Sequence, residues 1–236
     1  MSLKFEEMLD EFNISYKDRM IEQFNLYYDI LIQWNKFMNL TGITEYYDVT
    51  VKHFIDSLSI VKIIDMTNVT SLIDVGTGAG FPGVPIKIIF PHIKICLLDS
   101  LNKRVKFLNE IISKLDLDNI SALHGRAEEI AKRGEYREKY DLCVSRAVAN
   151  LSSLSEYCLP FVKKGGQFIS YKSSDIDKEL LSSKHAISVL GGEIEDIIKF
   201  KLPNTDIDRS LILINKVNET NRKYPRKAGM PTKEPL

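Results

Sequence analysis

The chain has 236 residues, 44% of them hydrophobic and 27% charged, with 32 basic and 32 acidic side chains in balance. This is ordinary globular composition, far from that of a disordered chain, and it is long enough to bury a sizeable core without disulfides or metals. Cys96, Cys143 and Cys158 have no C-x-x-C spacing and sit in apolar runs, which argues against zinc and for buried thiols in a reducing cytoplasm.

The acidic opening MSLKFEEMLDEF does not read as a signal peptide, and no apolar run approaches the roughly 20 residues that span a bilayer. Charge is unevenly placed. Residues 1–65 hold 6 basic against 11 acidic side chains, whereas residues 216–236 hold 6 against 2. A neutral protein with a concentrated basic end can still engage a polyanion locally.

Met20, Phe24, Tyr27, Tyr28, Leu31 and Trp34 recur at steps of three and four, predicting an amphipathic helix whose aromatic stripe is core packing. Asn39-Leu40-Thr41-Gly42 breaks it. A second helix is expected over about Asp48–Ile64, then a connector from Met66 to Thr70. Short apolar runs follow, alternating with helical stretches. Strands are expected at Ser71–Val75, Lys94–Asp99, Ile120–Leu123, Tyr140–Ser145 and Gly166–Tyr171. Helices are expected near Val84–Phe90, Lys103–Leu115, Ala127–Arg133 and Leu151–Val162. This alternation predicts βαβ units and a parallel sheet covered on both faces. After a helix over Ile176–Leu190, two strands at Glu193–Phe200 and Ser210–Val217 should pair antiparallel. The fold class is therefore α/β and Rossmann-like: a mostly parallel sheet of about seven strands with an antiparallel last strand. A helical extension (1–65) precedes the core (66–217), and a basic, aperiodic tail (218–236) follows it.

The most informative stretch is Ser71-Leu-Ile-Asp-Val-Gly-Thr-Gly-Ala-Gly-Phe-Pro-Gly83, an apolar strand running into four glycines. Such glycines allow a tight turn and a close backbone approach to a ligand. Asp99 ends the next strand, where a carboxylate can accept from ribose hydroxyls. Gly78 to Gly83 matches the dinucleotide fingerprint, so a nicotinamide enzyme is one reading. Three features favour S-adenosylmethionine. The glycine run begins at Gly76 after Asp74, an acidic strand end able to face the cofactor's ammonium group. Pro82 is expected to hold Gly83 in a stiff loop rather than a close-packed helix start. The antiparallel pair also suits a class I methyltransferase. A small-molecule methyltransferase and a non-catalytic RNA-binding module remain the other classes to weigh.

With these residues in place, the chain resembles the RsmG (GidB) family of bacterial methyltransferases acting on guanosine N7 of small-subunit (16S) ribosomal RNA. The resemblance covers nearly the whole chain. It runs through Asn39-Leu-Thr41, His53-Phe-Ile-Asp56-Ser57-Leu, the Asp74–Gly83 loop, Asp99-Ser100, Arg126-Ala127-Glu128, Ser145-Arg146-Ala147 and Pro225-Arg-Lys-Ala-Gly-Met-Pro-Thr-Lys233. It implies S-adenosylmethionine as cofactor, with Gly76, Phe81, Ala127, Glu128 and Arg146 as contacts beside the Gly78 and Asp99 of the motif. The implied partner is 16S ribosomal RNA or the small ribosomal subunit, with no membrane and no obligate protein partner.

N7 of guanine carries a lone pair and no proton, so methyl transfer to it requires alignment rather than a general base. No catalytic triad is evident, and no side chain is assigned a catalytic role. His53 and His124 are read as structural or surface histidines. Asn39 and Thr41 could hydrogen-bond the target base or cap a turn. Asp56 could equally cap or salt-bridge its helix. Lys103, Arg104 and Lys106 open a helix, where they could touch phosphate or simply face solvent. Arg222, Lys223, Arg226 and Lys227 are expected to contact RNA on electrostatic grounds, leaving the cofactor untouched. The narrow RNA major groove favours a looped-out guanosine.

Overall fold

Seven strands form one sheet in the order β3-β2-β1-β4-β5-β7-β6 in the computed structural model, which describes residues 4–173 and 176–236. Residues 1–3 of the expected extension lie outside it. β1 (Ser71–Val75), β2 (Lys94–Asp99), β3 (Ile120–His124), β4 (Tyr140–Arg146) and β5 (Val162–Ser173) run parallel. β7 (Asp208–Lys216) is antiparallel to both β5 and β6 (Gly192–Lys201). The expected antiparallel pair is present, and its last strand inserts between β5 and β6 instead of extending the edge.

The intervening helices are α5 (Gly83–Ile89), α6 (Asn102–Lys114), α7 (Ala127–Ile130), α8 (Leu151–Cys158) and α9 (Asp177–Val189). α7 is shorter than its sequence pattern because the chain after it closes in tighter turns, with Lys132 N–H donating to Glu129 O at 3.3 Å and Arg133 N–H to Ile130 O at 3.0 Å. β5 is longer than expected, and a 3-10 turn over Leu159–Phe161 replaces the end of the helix before it.

Strand alternation sends side chains to two cores. Leu72, Leu97 and Val144 meet Phe5, Phe24, Tyr27 and Phe54 of the N-terminal helices on one face. Ile73, Val75 and Cys143 meet Leu151, Leu154 and Ile187 on the other. α1 (Phe5–Glu11) and α2 (Asp18–Met38) thus share the sheet's own core, as the helical stripe required. The expected second helix is one helical run with a defect: α3 (Tyr46–Val49), a π-helical segment Thr50–Ile55, α4 (Asp56–Leu58) and a 3-10 turn Ser59–Lys62. A π turn widens the backbone by one residue and recurs at functional sites.

The tail packs on the second core. Tyr224 is buried there, and Arg137 donates to the carbonyls of Thr220 (2.7 Å) and Tyr224 (3.0 Å). Ser153 Oγ donates to Pro231 O at 2.7 Å, and α10 (Met230–Lys233) forms a short turn of helix in a segment whose sequence shows no period.

Candidate active site: two cavities that share one turn

The carboxyl ends of the parallel strands are where an open α/β sheet offers a crevice, and two cavities lie there. The first, of about 310 Å³, is lined by Val75 and Gly76 at the end of β1, Leu98 and Ser100 around the end of β2, and Gly125 to Glu128 after β3. Val148, Tyr157, Gly229 and Thr232 close it. The second, of about 410 Å³, is lined by Ile43, Lys52, His53, Asp56, Arg146, Ala147, Tyr171, Lys172, Ser173 and Arg209. The turn after β4 divides them. Arg146 and Ala147 face the second cavity and Val148 the first, with Ala147 held at a left-handed φ of 58°. A non-glycine residue there stores local strain that the surroundings must maintain.

The glycine loop shapes the first cavity by omission. A Cβ on Gly76 (φ 73°) would stand 2.5 Å from Val148 Cγ2. Five of the loop's amides are committed internally. Gly76 and Thr77 N–H donate to Leu98 O, Gly80 and Phe81 N–H to Thr77 O, and Gly78 N–H to Asp99 Oδ2. At the start of α5, Gly83 N–H donates to Asp74 Oδ2 (2.8 Å) and Val84 N–H to Gly80 O (2.7 Å). Pyrophosphate recognition by a dinucleotide loop depends on free amides at this helix start, and here they are taken. The cradle suits a ligand without phosphates.

Two sequence expectations need correction. Gly83 is the first residue of a close-packed helix, since a Cβ on it would collide with Leu97 Cδ2; Pro82 does not hold it away. Asp74 does not face the cavity. It is fully buried, accepts from Thr77 Oγ1 (2.6 Å) and caps α5, and burial pushes its carboxyl up to about 6 despite those hydrogen bonds. Asp99 sits between Leu98 and Ser100 of the lining, with one oxygen accepting from Gly78 N–H at 2.9 Å and the other from Leu101 N–H at 2.8 Å.

Of the other residues expected at the cofactor, Gly76, Ala127 and Glu128 line the first cavity, and Arg146 lines the second. Gly78 is half-buried, with open space where a Cβ would stand and its N–H given to Asp99. Phe81 is buried beneath the site, its ring stacked on His53 (4.6 Å, 18°) and Tyr27 (5.4 Å), with Arg146 above it at 5.1 Å. Glu128 Oε1 accepts from Gly229 N–H at 2.9 Å, so the tail forms a wall of the first cavity.

That hydrogen bond sets the tail, which the sequence reads as separate from the glycine loop, against the first cavity. Arg226 also leaves the RNA-facing set. Its guanidinium is paired with fully buried Glu156, Nη2 to Oε2 at 2.7 Å and Nε to Oε1 at 3.0 Å. Arg222, Lys223 and Lys227 remain exposed. Asn39 is exposed and caps α2 in the left-handed region (φ 49°); its side chain has no hydrogen-bond partner among the described residues.

The second cavity escapes sequence reading as a unit because its residues are spread from Ile43 to Arg209. Asp56 is its anchor, accepting from Arg146 Nη1 (2.9 Å) on one oxygen and Arg209 Nε (3.0 Å) on the other. Lys172 Nζ reaches Glu179 at 2.6 Å and Ala149 O at 2.7 Å. Within the lining, four cations (Lys52, Arg146, Lys172 and Arg209) face one carboxylate. His53 is no bland surface histidine. Burial and the adjacent Arg146 guanidinium push it down to about 3, so it is neutral at physiological pH. The one sequence signal is the spacing of His53 and Asp56, which places both on one side of a helical turn.

A family model described as rRNA small subunit methyltransferase G (GidB) matches residues 20–212. The chain belongs to this family. It is 53% identical to the ribosomal RNA small subunit methyltransferase G of Lachnoclostridium phytofermentans, over 98% of this chain and 96% of the relative. Its identity to the protein of that name from Bacillus cytotoxicus is 47%, over 99% and 98%. Among solved structures, a SAM-dependent methyltransferase from Aquifex aeolicus superposes with a TM-score of 0.55 at 15% identity, covering 75% of this chain and 96% of that one. The Methanococcus jannaschii fibrillarin pre-rRNA processing protein gives 0.54 at 16%, over 68% and 74%. These two likenesses show the class I methyltransferase fold, in keeping with the strand order. As a family member, the chain has its two cavities within or beside the matched region, and only Gly229 and Thr232 of the lining fall after it.

Proposed function

We propose that this protein transfers a methyl group from S-adenosylmethionine to N7 of a guanosine in 16S ribosomal RNA, in the cytoplasm, on naked RNA or on the small subunit. The observation that carries this reading is the turn from Arg146 to Val148, which lines a phosphate-free cofactor cradle on one side and a cation-rich cavity on the other. The family membership supports the substrate. Among the described residues no helix is long and apolar enough to cross a membrane.

Gly76, Ser100, Ala127, Glu128 and Val148 would hold the cofactor, whose sulfonium supplies an electrophilic methyl group. Gly76 admits it by lacking a Cβ, and Gly229 and Thr232 limit access of water from the tail side. In the second cavity the cation excess attracts the RNA backbone, while Tyr171 and Ile43 offer apolar surface to a base. No group needs to remove a proton from N7, and the residues at this site fit that chemistry: His53 is neutral but far too weak a base at physiological pH, and Asp56 is held between two arginines.

The test is methylation of small-subunit RNA with radiolabelled cofactor, followed by borohydride and aniline cleavage, which cuts at N7-methylguanosine. One cleavage site in 16S RNA is expected. Label incorporated without aniline-sensitive cleavage would move the reaction to another atom, and no label in RNA would reject the substrate.

A further inference from the structure

His53 has hydrogen-bond partners on both ring nitrogens, and one of them determines where its proton sits. Arg146 offers only donors. Its Nη2 stands 3.3 Å from His53 Nδ1, so Nδ1 is the accepting nitrogen and the proton lies on Nε2. Nε2–H then donates to Thr41 Oγ1 at 2.8 Å, and that oxygen also accepts from Ile43 N–H at 3.0 Å. Asn35 pins Thr41 through paired 2.9 Å bonds to its N–H and C=O. Phe81 fixes the plane of the imidazole by stacking. The network therefore runs from the end of α2 to the strand end that separates the two cavities.

Its output is the orientation of Arg146. The two Nη1 N–H groups meet Lys52 O (3.2 Å) and Asp56 Oδ2 (2.9 Å), and one Nη2 N–H meets His53. Nε–H and the second Nη2 N–H have no partner among the described residues, on a side chain that lines the second cavity. Guanine presents O6 next to N7 on its major-groove edge, where adenine presents an amino group. Donors fixed beside the methyl acceptor would bind the first and reject the second.

We propose that His53 is a positioning residue for methyl transfer: held as the neutral Nε2–H tautomer, it accepts from Arg146 and aims the remaining guanidinium N–H groups at O6 of the guanine whose N7 attacks the methyl carbon. The proposal rests on the substrate reading given above. The charged groups that face the ring are Arg146 of β4, Arg209 of β7 and Lys52 on its own helical segment, all cations; Asp56 is engaged with the two arginines. A proton on Nδ1 would oppose them and break the bond that orients Arg146.

The full-length protein, labelled with 15N-histidine, tests the tautomer directly, with His53 assigned among the four histidines by substitution. Nδ1 should show a pyridine-type shift and Nε2 a pyrrole-type shift, both unchanged from about pH 5 to 8, the range in which an ordinary imidazole titrates. A pyrrole-type Nδ1, or titration in that window, overturns the proposal. His53→Gln retains a polar group towards Thr41 without the acceptor for Arg146, and His53→Phe keeps only the stack. Both should lower kcat on the order of 10- to 100-fold with cofactor affinity unchanged, as expected for a misaligned reacting group. His53→Asn, with an oxygen near the former Nδ1, should recover most of the loss; equal kcat for the Asn and Gln variants counts against the mechanism. Thermal melts confirm that each variant is folded before rates are compared.

RNA carrying 2-aminopurine at the target keeps N7 and lacks O6. The wild-type protein should lose with it about what His53→Gln loses with guanine, and the variant should lose little more. Additive losses would rule out the O6 hydrogen bond. A wild-type protein that leaves guanosine N7 unmethylated would defeat the substrate reading, while the tautomer, measured without RNA, is judged by its own spectrum.

Discussion

The two cavities are built by opposite means. The first is largely main chain, small residues and a glycine loop whose amides are turned inward, and its walls come from short contiguous stretches. The second is side chains, with charged groups drawn from the π-helical segment, β4, β5 and β7 around a single carboxylate. A ligand site formed by backbone tolerates little added volume. One formed by ion pairs tolerates volume but not the loss of a partner.

The largest expected effect lies behind the first cavity. Arg226→Ala leaves Glu156 buried without its counter-ion, so we expect about 3–5 kcal/mol of destabilisation by denaturant unfolding and weaker cofactor binding as the tail wall loosens. A variant as stable as the wild type would show that the tail is dispensable to that wall. Gly76→Val places a branched side chain at a left-handed position against Val148. Cofactor binding by calorimetry should fall by roughly 100-fold or more, on the order of the 1–3 kcal/mol cost of overpacking plus backbone strain, with RNA affinity retained.

Asp56→Ala sharpens the contrast from the other side. Two arginines lose their shared anchor, so methyl transfer should drop by about 10- to 100-fold while cofactor affinity stays. Equal loss of both would mean that the cavities are not separable.

A smaller effect is expected from pH. His53 is pushed from 6.5 to about 3 on folding, so the unfolded chain binds the extra proton in that interval. Its contribution to stability is therefore complete above pH 6.5 and is lost as pH falls towards 3. Asp74, raised from 3.8 to about 6, acts in the opposite sense, its protonation favouring the fold as pH drops through that range. Urea titrations of wild type and His53→Asn between pH 4 and 7 should differ in slope by up to about one proton; identical slopes would mean the ring is protonated in the folded protein. The smallest effect is at the exposed tail. Substituting Arg222, Lys223 and Lys227 by Gln should flatten the salt dependence of RNA binding by about 0.7–0.9 for each phosphate no longer neutralised, with the cofactor site undisturbed.

The same contrast explains what could be read from the sequence. The strands, the alternation of helices and the Gly76 loop were legible because each is a local pattern imposed by backbone geometry, and Gly76, Ala127 and Glu128 line one cavity. Asp74 was legible as a functional position but not in its role. A carboxylate at a strand end can face a ligand or satisfy the amides of its own loop, and only the folded backbone decides between these. Lys172 and Arg209 carried no local signal at all, since they meet Lys52, His53 and Asp56 only when β5 and β7 lie side by side. Arg226 looked like a phosphate ligand because its partner, Glu156, is 70 residues away.

The excess of cations around Asp56 has a consequence for turnover. On the proposed placement, the positive charge to be moved lies before transfer on the donor's side of the Arg146–Val148 turn, and the base drawn in is neutral. Afterwards the methylated guanine, itself cationic, would lie among Lys52, Arg146, Lys172 and Arg209, of which Lys52 is paired with Asp48, Lys172 with Glu179 and the two arginines with Asp56. Two unit charges 4 Å apart repel by about 4 kcal/mol at the effective dielectric typical of a protein surface. With one positive charge left uncompensated, a cavity that admits the neutral base would disfavour its product, and the side chains proposed to recognise the substrate would also favour release.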